Sequence, residues 1–438
     1  MQAEGHRIPP RGRNHSPVFL AAALLFFALG LNGTDIGLPE FLTAKRLGLA
    51  LLTAGLLTVP FRRWKVPWSI RGTAWILAGI GIWGMLGTLI KGTNVTRDLN
   101  LVLAWFLTAY GLLAGTVLFS QVIPRQINKF VALMTALGGL AALGCIAIIV
   151  RLKGPGIFAE TFALRIFLEE DVSTGLNRLM NGLFFLAVIP LAIVLQIIKA
   201  HLWSYIVSLA TVSAFTFLAL VSGSRQSVAA LGLLLLALIF LRLALEKRFG
   251  QEAALSKNRR WVTVLLTLLG IAVVIQNFVT SDEYSYSINR RLVEKTTEQG
   301  SEGQVRLEVA TAAWNLAWRN PVFGIGPGEF AEHPDNFTGE FPHNGYTGTM
   351  VEYGFLPLLV LILLILKNLK VALSGARIAF GAGRGGFFTT GLAFCLVFAG
   401  WMMVFNDLTR EYFFWILMSG TIFCGLPQDT AIATKVTS

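Results

Sequence analysis

The sequence predicts an all-α polytopic membrane protein of about twelve transmembrane helices, and three observations predict it. Charged residues make up only 14% of the chain, against roughly 25% in soluble domains, while 55% is hydrophobic and the mean hydropathy is +0.66. Apolar runs such as AWILAGIGIWGMLGTLI and VTVLLTLLGIAVVIQNFV recur along the chain, each near the ~20 residues that cross a hydrocarbon core about 30 Å thick. They are continuous rather than alternating, so they read as helices that satisfy their own backbone in lipid and not as barrel strands. Third, the basic residues segregate between the connections, as described below.

In order, the expected spans are 17 to 33, 44 to 60, 73 to 90, 99 to 119, 130 to 150, 181 to 198, 202 to 222, 227 to 244, 261 to 279, 348 to 366, 387 to 405 and 411 to 426. The first follows a basic head, HRIPPRGRNH, with no convincing small-residue cleavage site, and is read as a retained helix. With the N-terminus cytoplasmic, the cytoplasmic side holds 21 of the 36 Lys and Arg but only 4 of the 24 Asp and Glu. That is the positive-inside bias, and it accounts for the net charge of +12. The basic residues are scattered over short connections and never interleaved into a binding surface, which argues against a nucleic-acid partner. Cys145, Cys395 and Cys424 lie in apolar runs without pairing or metal-ligand spacing. The chain thus divides into residues 1–279 with nine spans, a 280–347 outer loop domain, and 348–438 with three spans and a cytoplasmic tail.

Two outer connections are long. Arg151 to Asn181 carries FAETFALRIFLEEDV, an amphipathic piece suited to the interface. The second, from about Thr280 to Thr347, contains RLEVATAAWNLAWRN. Leu307, Ala310, Trp314 and Trp318 there fall at helical spacing, with Asn-Pro as a stop. GIGPG follows, an open backbone that can approach a ligand closely, without the Lys-Ser/Thr or preceding strand of a nucleotide loop. Asp282, Glu283, Glu294, Glu298, Glu302 and His333 read as solvated loop residues. PHNGY, ending just before the tenth span, is turn chemistry that places His343 at the aqueous–lipid boundary, a position suited to a proton acceptor.

In VSGSRQSVAAL, Arg225 separates two apolar spans with almost no loop. An arginine at that depth costs free energy unless it snorkels or meets an anion, which makes it a candidate anion site. Arg319, in the last turn of the loop helix, is accounted for by the helix macrodipole. Arg306, near the first turn, gains nothing from that dipole and is the better candidate for a shared anion. Two readings of Glu352 stand side by side: it orients His343 or the acceptor, or it is an interface carboxylate. Asp407, Arg410 and Glu411 in FNDLTREYF read as a solvated outer hairpin or as the border of a groove.

Taken together, SGSRQSVAAL, VRLEVATAAWNLAWRNPVFGIGPGEF, FPHNGYTGTMVEYG and the twelve-span layout resemble the O-antigen ligase family and the related lipid-linked polysaccharide polymerases. The resemblance implies a GT-C-like glycosyltransferase of the bacterial inner membrane with its active site on the periplasmic face. It implies a glycan donor on undecaprenyl diphosphate and a lipid A core acceptor. The alternative is a polymerase extending a lipid-linked glycan, and a transporter of such a lipid is a second alternative. The family's essential arginines fall on Arg225 and Arg306 and its loop histidine on His343. Arg291, in NRRLV, resembles a loop-lining arginine, with Arg290 as the competing choice.

The chemistry implied is metal-independent and inverting, with no cofactor. Guanidinium groups of Arg225 and Arg306 bind the diphosphate through paired hydrogen bonds, with Arg291 lining the loop, His343 taking the acceptor proton and Glu352 on the substrate side as a group that orients His343 or the acceptor. Spans almost free of charge, with polar residues gathered on one face, favour a one-sided enzyme over a transporter, which places ionisable groups near the midplane.

Overall fold

The computed structural model describes residues 15–29, 43–64, 66–92, 95–122, 126–158, 186–195, 197–198, 201–221, 231–240, 243, 302–342, 344–381, 391–392 and 412–425. Among these residues the secondary structure is helical, with no strand. The helices are α1 (Ser16–Leu29), α2 (Ala44–Leu57), α3 (Trp68–Lys91), α4 (Val95–Val122), α5 (Ile127–Lys153), α6 (Val188–Val194) and α7 (Leu202–Val221). They continue with α8 (Leu231–Phe240), α9 (Glu302–Arg319), α10 (Gly345–Tyr353), α11 (Phe355–Gly381) and α12 (Tyr412–Gly425).

Four stretches are long and apolar enough to cross a membrane: Trp68–Lys91, Leu101–Val122, Ile127–Lys153 and Leu202–Ala219. Each coincides with an expected span. Shorter apolar helices occupy Ser16–Leu29, Leu231–Phe240 and Phe414–Phe423. The chain is therefore a polytopic helical membrane protein. Several helices outrun their apolar stretch: α3 and α5 carry Lys91, Arg151 and Lys153 in their last turns, where basic side chains complement the exposed carbonyls. The expected span 261–279 and nearly all of 387–405 lie outside the described residues.

α4 is the hub, packing against α1, α2, α3 and α12. Lipid tails are as apolar as leucine, so association in a bilayer rests on close packing and a few polar contacts. The α4–α12 crossing shows the first: a methyl group on Gly115 would lie 2.9 Å from Ile416 Cγ2, and one on Gly420 2.8 Å from Phe119 Cε2. Trp105, Phe119 and Trp415 are wholly buried in the same core. Polar contacts pin the register: Thr53 and Tyr110 share a 2.8 Å hydrogen bond between α2 and α4, and Thr73 donates to Asn368 Oδ1 at 3.3 Å between α3 and α11. α5, α6 and α7 pack together and join the hub through α1.

The region 348–366, read from sequence as one span, is divided. Gly354, at φ +93°, separates the nine-residue α10 from the 27-residue α11. A side chain at 354 would run into the Pro321 and Val322 backbone, so the loop after α9 passes through the break. Phe355 N–H donates to Pro321 O at 2.9 Å there.

Candidate functional site

α10 is short and buried on nearly every side, from Gly345 and from Gly348 through Tyr353. Such a helix must satisfy its terminal backbone groups without water. At the N-terminus Asn344 caps it: Oδ1 accepts from Tyr346 N–H at 2.8 Å and from Thr347 N–H at 3.2 Å. At the C-terminus all four orphan carbonyls have a partner. Met350 O accepts from Gly354 N–H (3.0 Å), Val351 O from Ile325 N–H (2.8 Å), Glu352 O from Gly326 N–H (3.2 Å) and Tyr353 O from Trp83 Nε1 (3.2 Å).

GIGPG therefore approaches a helix end, where the sequence suggested a ligand. Gly324 has φ +64°, and a Cβ there would collide with the backbone of Glu352 and Tyr353. Only glycine permits both the conformation and the contact.

α3 holds this arrangement from the other side. Trp83 Nε1 is shared between Tyr353 O and Val322 O, both at 3.2 Å, and the indole stacks on Phe323 at 4.8 Å. Lys91 donates to Asn320 Oδ1 at 2.8 Å and to Gly324 O. Gly84 leaves room for Tyr353, whose ring would lie 3.0 Å or less from a methyl group there and makes an edge contact with Trp105 at 6.1 Å. The loop, α10 and α3 thus form one packed unit.

α9 covers α10 through a small core of Val309, Ala313, Leu316, Ile325, Phe330 and Val351. Beyond it, the loop is organised by Asn336, whose buried amide donates to Phe330 O (2.9 Å) and Glu340 O (3.0 Å) and accepts from Thr338 (2.7 Å). Arg319 pairs with Asp335 at 2.7 Å, an exposed bridge of small energetic weight. His333 Nδ1 accepts from Asp335 N–H at 3.2 Å, a turn contact. Burial raises the Tyr346 phenol above its ordinary pKa, keeping it a neutral hydroxyl.

Of the residues singled out from sequence, Arg306 lies in α9 near its start, exposed, and Glu352 lies in α10, buried. The packing of α9 on α10 brings their elements together. Arg225, Arg291 and His343 lie outside the described residues, as do Asp407, Arg410 and Glu411. The flanks of His343 are defined: buried Pro342 precedes it and the capping Asn344 follows. Trp83, Lys91 and Asn320 were not legible as site residues. Trp83 lies in the glycine-rich GIGIWGMLG within a span and Asn320 in the Asn-Pro stop, and the contacts of Trp83 and Lys91 reach partners more than two hundred residues away. A cavity of about 540 Å³ between α5, α6 and α7, lined by residues including Thr135, His201 and Trp203, shares no residue with this unit.

Residues 209–362 match the family described as O-antigen ligase. No curated protein matches the chain. The matched segment contains Arg225, Arg291, Arg306, His343 and Glu352 together with α9 and α10.

Two glycines separate contact from conformation. Gly324 and Gly339 have nearly equal φ, +64° and +67°, but a Cβ at 339 meets nothing within 4 Å. Gly339→Ala should cost only the left-handed backbone penalty, about 1–2 kcal/mol. Gly324→Ala adds an overpacking cost of about 1–3 kcal/mol and should melt at a distinctly lower temperature in detergent. Equal melting temperatures would contradict the seating of the loop on α10.

Proposed function

We propose, from the O-antigen ligase family match at 209–362, that this protein is a glycosyltransferase moving a glycan from undecaprenyl diphosphate to an acceptor, with lipid A core as the acceptor. It works in the bacterial inner membrane, on the periplasmic face, without a metal. The observation that carries the reading is that the five residues chosen for this chemistry fall inside the matched segment, two of them, Arg306 and Glu352, on the packed helices α9 and α10.

The acceptor hydroxyl oxygen attacks the anomeric carbon from the face opposite the diphosphate. The bond from that carbon to the diphosphate oxygen breaks, undecaprenyl diphosphate leaves with the bonding pair, and the anomeric configuration inverts. His343 takes the hydroxyl proton as the new bond forms and later returns it to solvent, a role worth about 10²- to 10⁴-fold in rate. Arg225 and Arg306 bind the diphosphate, whose negative charge grows as the bond breaks, and a guanidinium fork suits its paired oxygens. Arg291 assists from the loop. Glu352 orients the histidine or the acceptor from a buried position in α10. The rigid cap at Asn344 supports this reading, because it fixes the backbone next to the base. A polymerase would use the same steps with a lipid-linked glycan as acceptor.

Two variant sets test the roles. His343→Gln keeps a polar side chain without a titratable nitrogen. It should lose most transfer while donor binding is retained, and the wild-type rate should rise with pH through the imidazole range and then level off, the neutral ring being active. Full turnover by the Gln variant with the same pH profile would remove His343 as the base.

Arg225→Lys retains charge but loses the planar fork. It should transfer glycan at least tenfold more slowly with normal membrane insertion, and Arg306→Lys should be equally or less affected because it sits on a loop helix. Wild-type rates for both lysine variants would refute the diphosphate clamp.

A further inference from the structure

The Trp-rich loop helix holds a feature that the transfer chemistry does not use. α9 buries Val309, Ala313, Leu316 and Ala317 against its neighbours, yet its opposite side is also apolar. Leu307, Trp314 and Trp318 are 68%, 51% and 59% exposed. Their spacing of seven and four residues places them on one face. The exposed polar residues Glu308 and Asn315 form a separate strip.

Two apolar helices, α11 in the expected tenth span and the membrane-crossing α3, fix the level at which that aromatic face sits. Trp318 lies 4.9 Å and Trp314 6.4 Å, ring to ring, from Phe355, the first residue of α11. From there the exposed leucines 356, 359, 363 and 366 run down α11, so the indoles extend an outward apolar strip beyond the end of the helix. Independently, α3 ends beside the C-terminus of α9 through the Lys91–Asn320 contact, directly after exposed Leu89 and Ile90. Both exposed apolar surfaces end beside the C-terminal half of α9. Indole rings, apolar in body with a polar N–H, prefer that boundary.

We propose that α9 is an interfacial helix whose Leu307–Trp314–Trp318 face seats in the headgroup–acyl boundary of the bilayer. The occupant is lipid, because the strip is continuous with the outward faces of α11 and α3 and carries no charge to pair with a protein partner. Seated in this way, α9 fixes the height of α10 and of the loop relative to the membrane surface. This inference does not rest on the transferase reading.

The test uses the full-length protein in nanodiscs of phosphatidylethanolamine and phosphatidylglycerol, with p-benzoylphenylalanine replacing Trp318, Leu307 or Asn315 one at a time. After irradiation, intact-protein mass should show phospholipid adducts at positions 318 and 307, at least fivefold more abundant than at 315. Position 307 carries the test if the 318 variant fails to insert, since Leu307 is exposed. Equal lipid adducts at 315 and at both apolar positions, no lipid adduct at either apolar position, or predominantly protein–protein adducts there would overturn the proposal. Glycan transfer is not read, so the outcome is independent of the catalytic assignment.

Discussion

The rest of the loop depends on one constraint: the C-terminal carbonyls of a nine-residue helix buried away from water must all be met. A buried carbonyl left without a donor costs about 1–3 kcal/mol, and α10 exposes four. Gly354, Ile325, Gly326 and Trp83 supply the four donors. Three come from backbone, and two of these, Ile325 and Gly326, require the 324–326 segment of the loop to lie directly on the helix end. That closeness in turn excludes a side chain at 324, and the chain break at Gly354 lets Pro321 and Val322 thread between α10 and α11. The glycines serve a backbone contact.

In the proposed mechanism this economy separates scaffold from chemistry. The proposed base, His343, precedes the capping Asn344 in sequence, and Glu352 lies at the clamped C-terminal end of the helix that Asn344 caps. Arg306 sits on α9, which packs on α10 through the small core around Val309, Leu316 and Val351. Of the residues proposed to act, Arg306 and Glu352 are thus carried on different elements that pack against each other.

Much of the fold was legible because apolar length and loop chemistry are local signals. Trp68–Lys91 and Ile127–Lys153 announce themselves as runs, and RLEVATAAWNLAWRN forms a helix with its stop at Asn320 and Pro321. The spacing of Leu307, Trp314 and Trp318 revealed that helix but not which side of it is buried, since both sides are apolar. PHNGY was legible as a turn, and Asn344 makes it a helix cap. The division of 348–366 at Gly354 was not legible, because one glycine in an apolar run is also compatible with a straight span. Trp83 was hidden for a different reason. Its indole serves carbonyls at 322 and 353, and no local pattern around position 83 encodes partners so distant in sequence.

The most direct test of the central claim is the mass of the product made by the purified, reconstituted chain from undecaprenyl-diphosphate glycan and lipid A core. The account predicts a species equal to the core plus the donor's glycan, less one water, appearing as undecaprenyl diphosphate is released, in buffer containing a metal chelator and no nucleotide. Donor that crosses the bilayer or is hydrolysed while no joined product forms, with either lipid A core or a second lipid-linked glycan as acceptor, would contradict it.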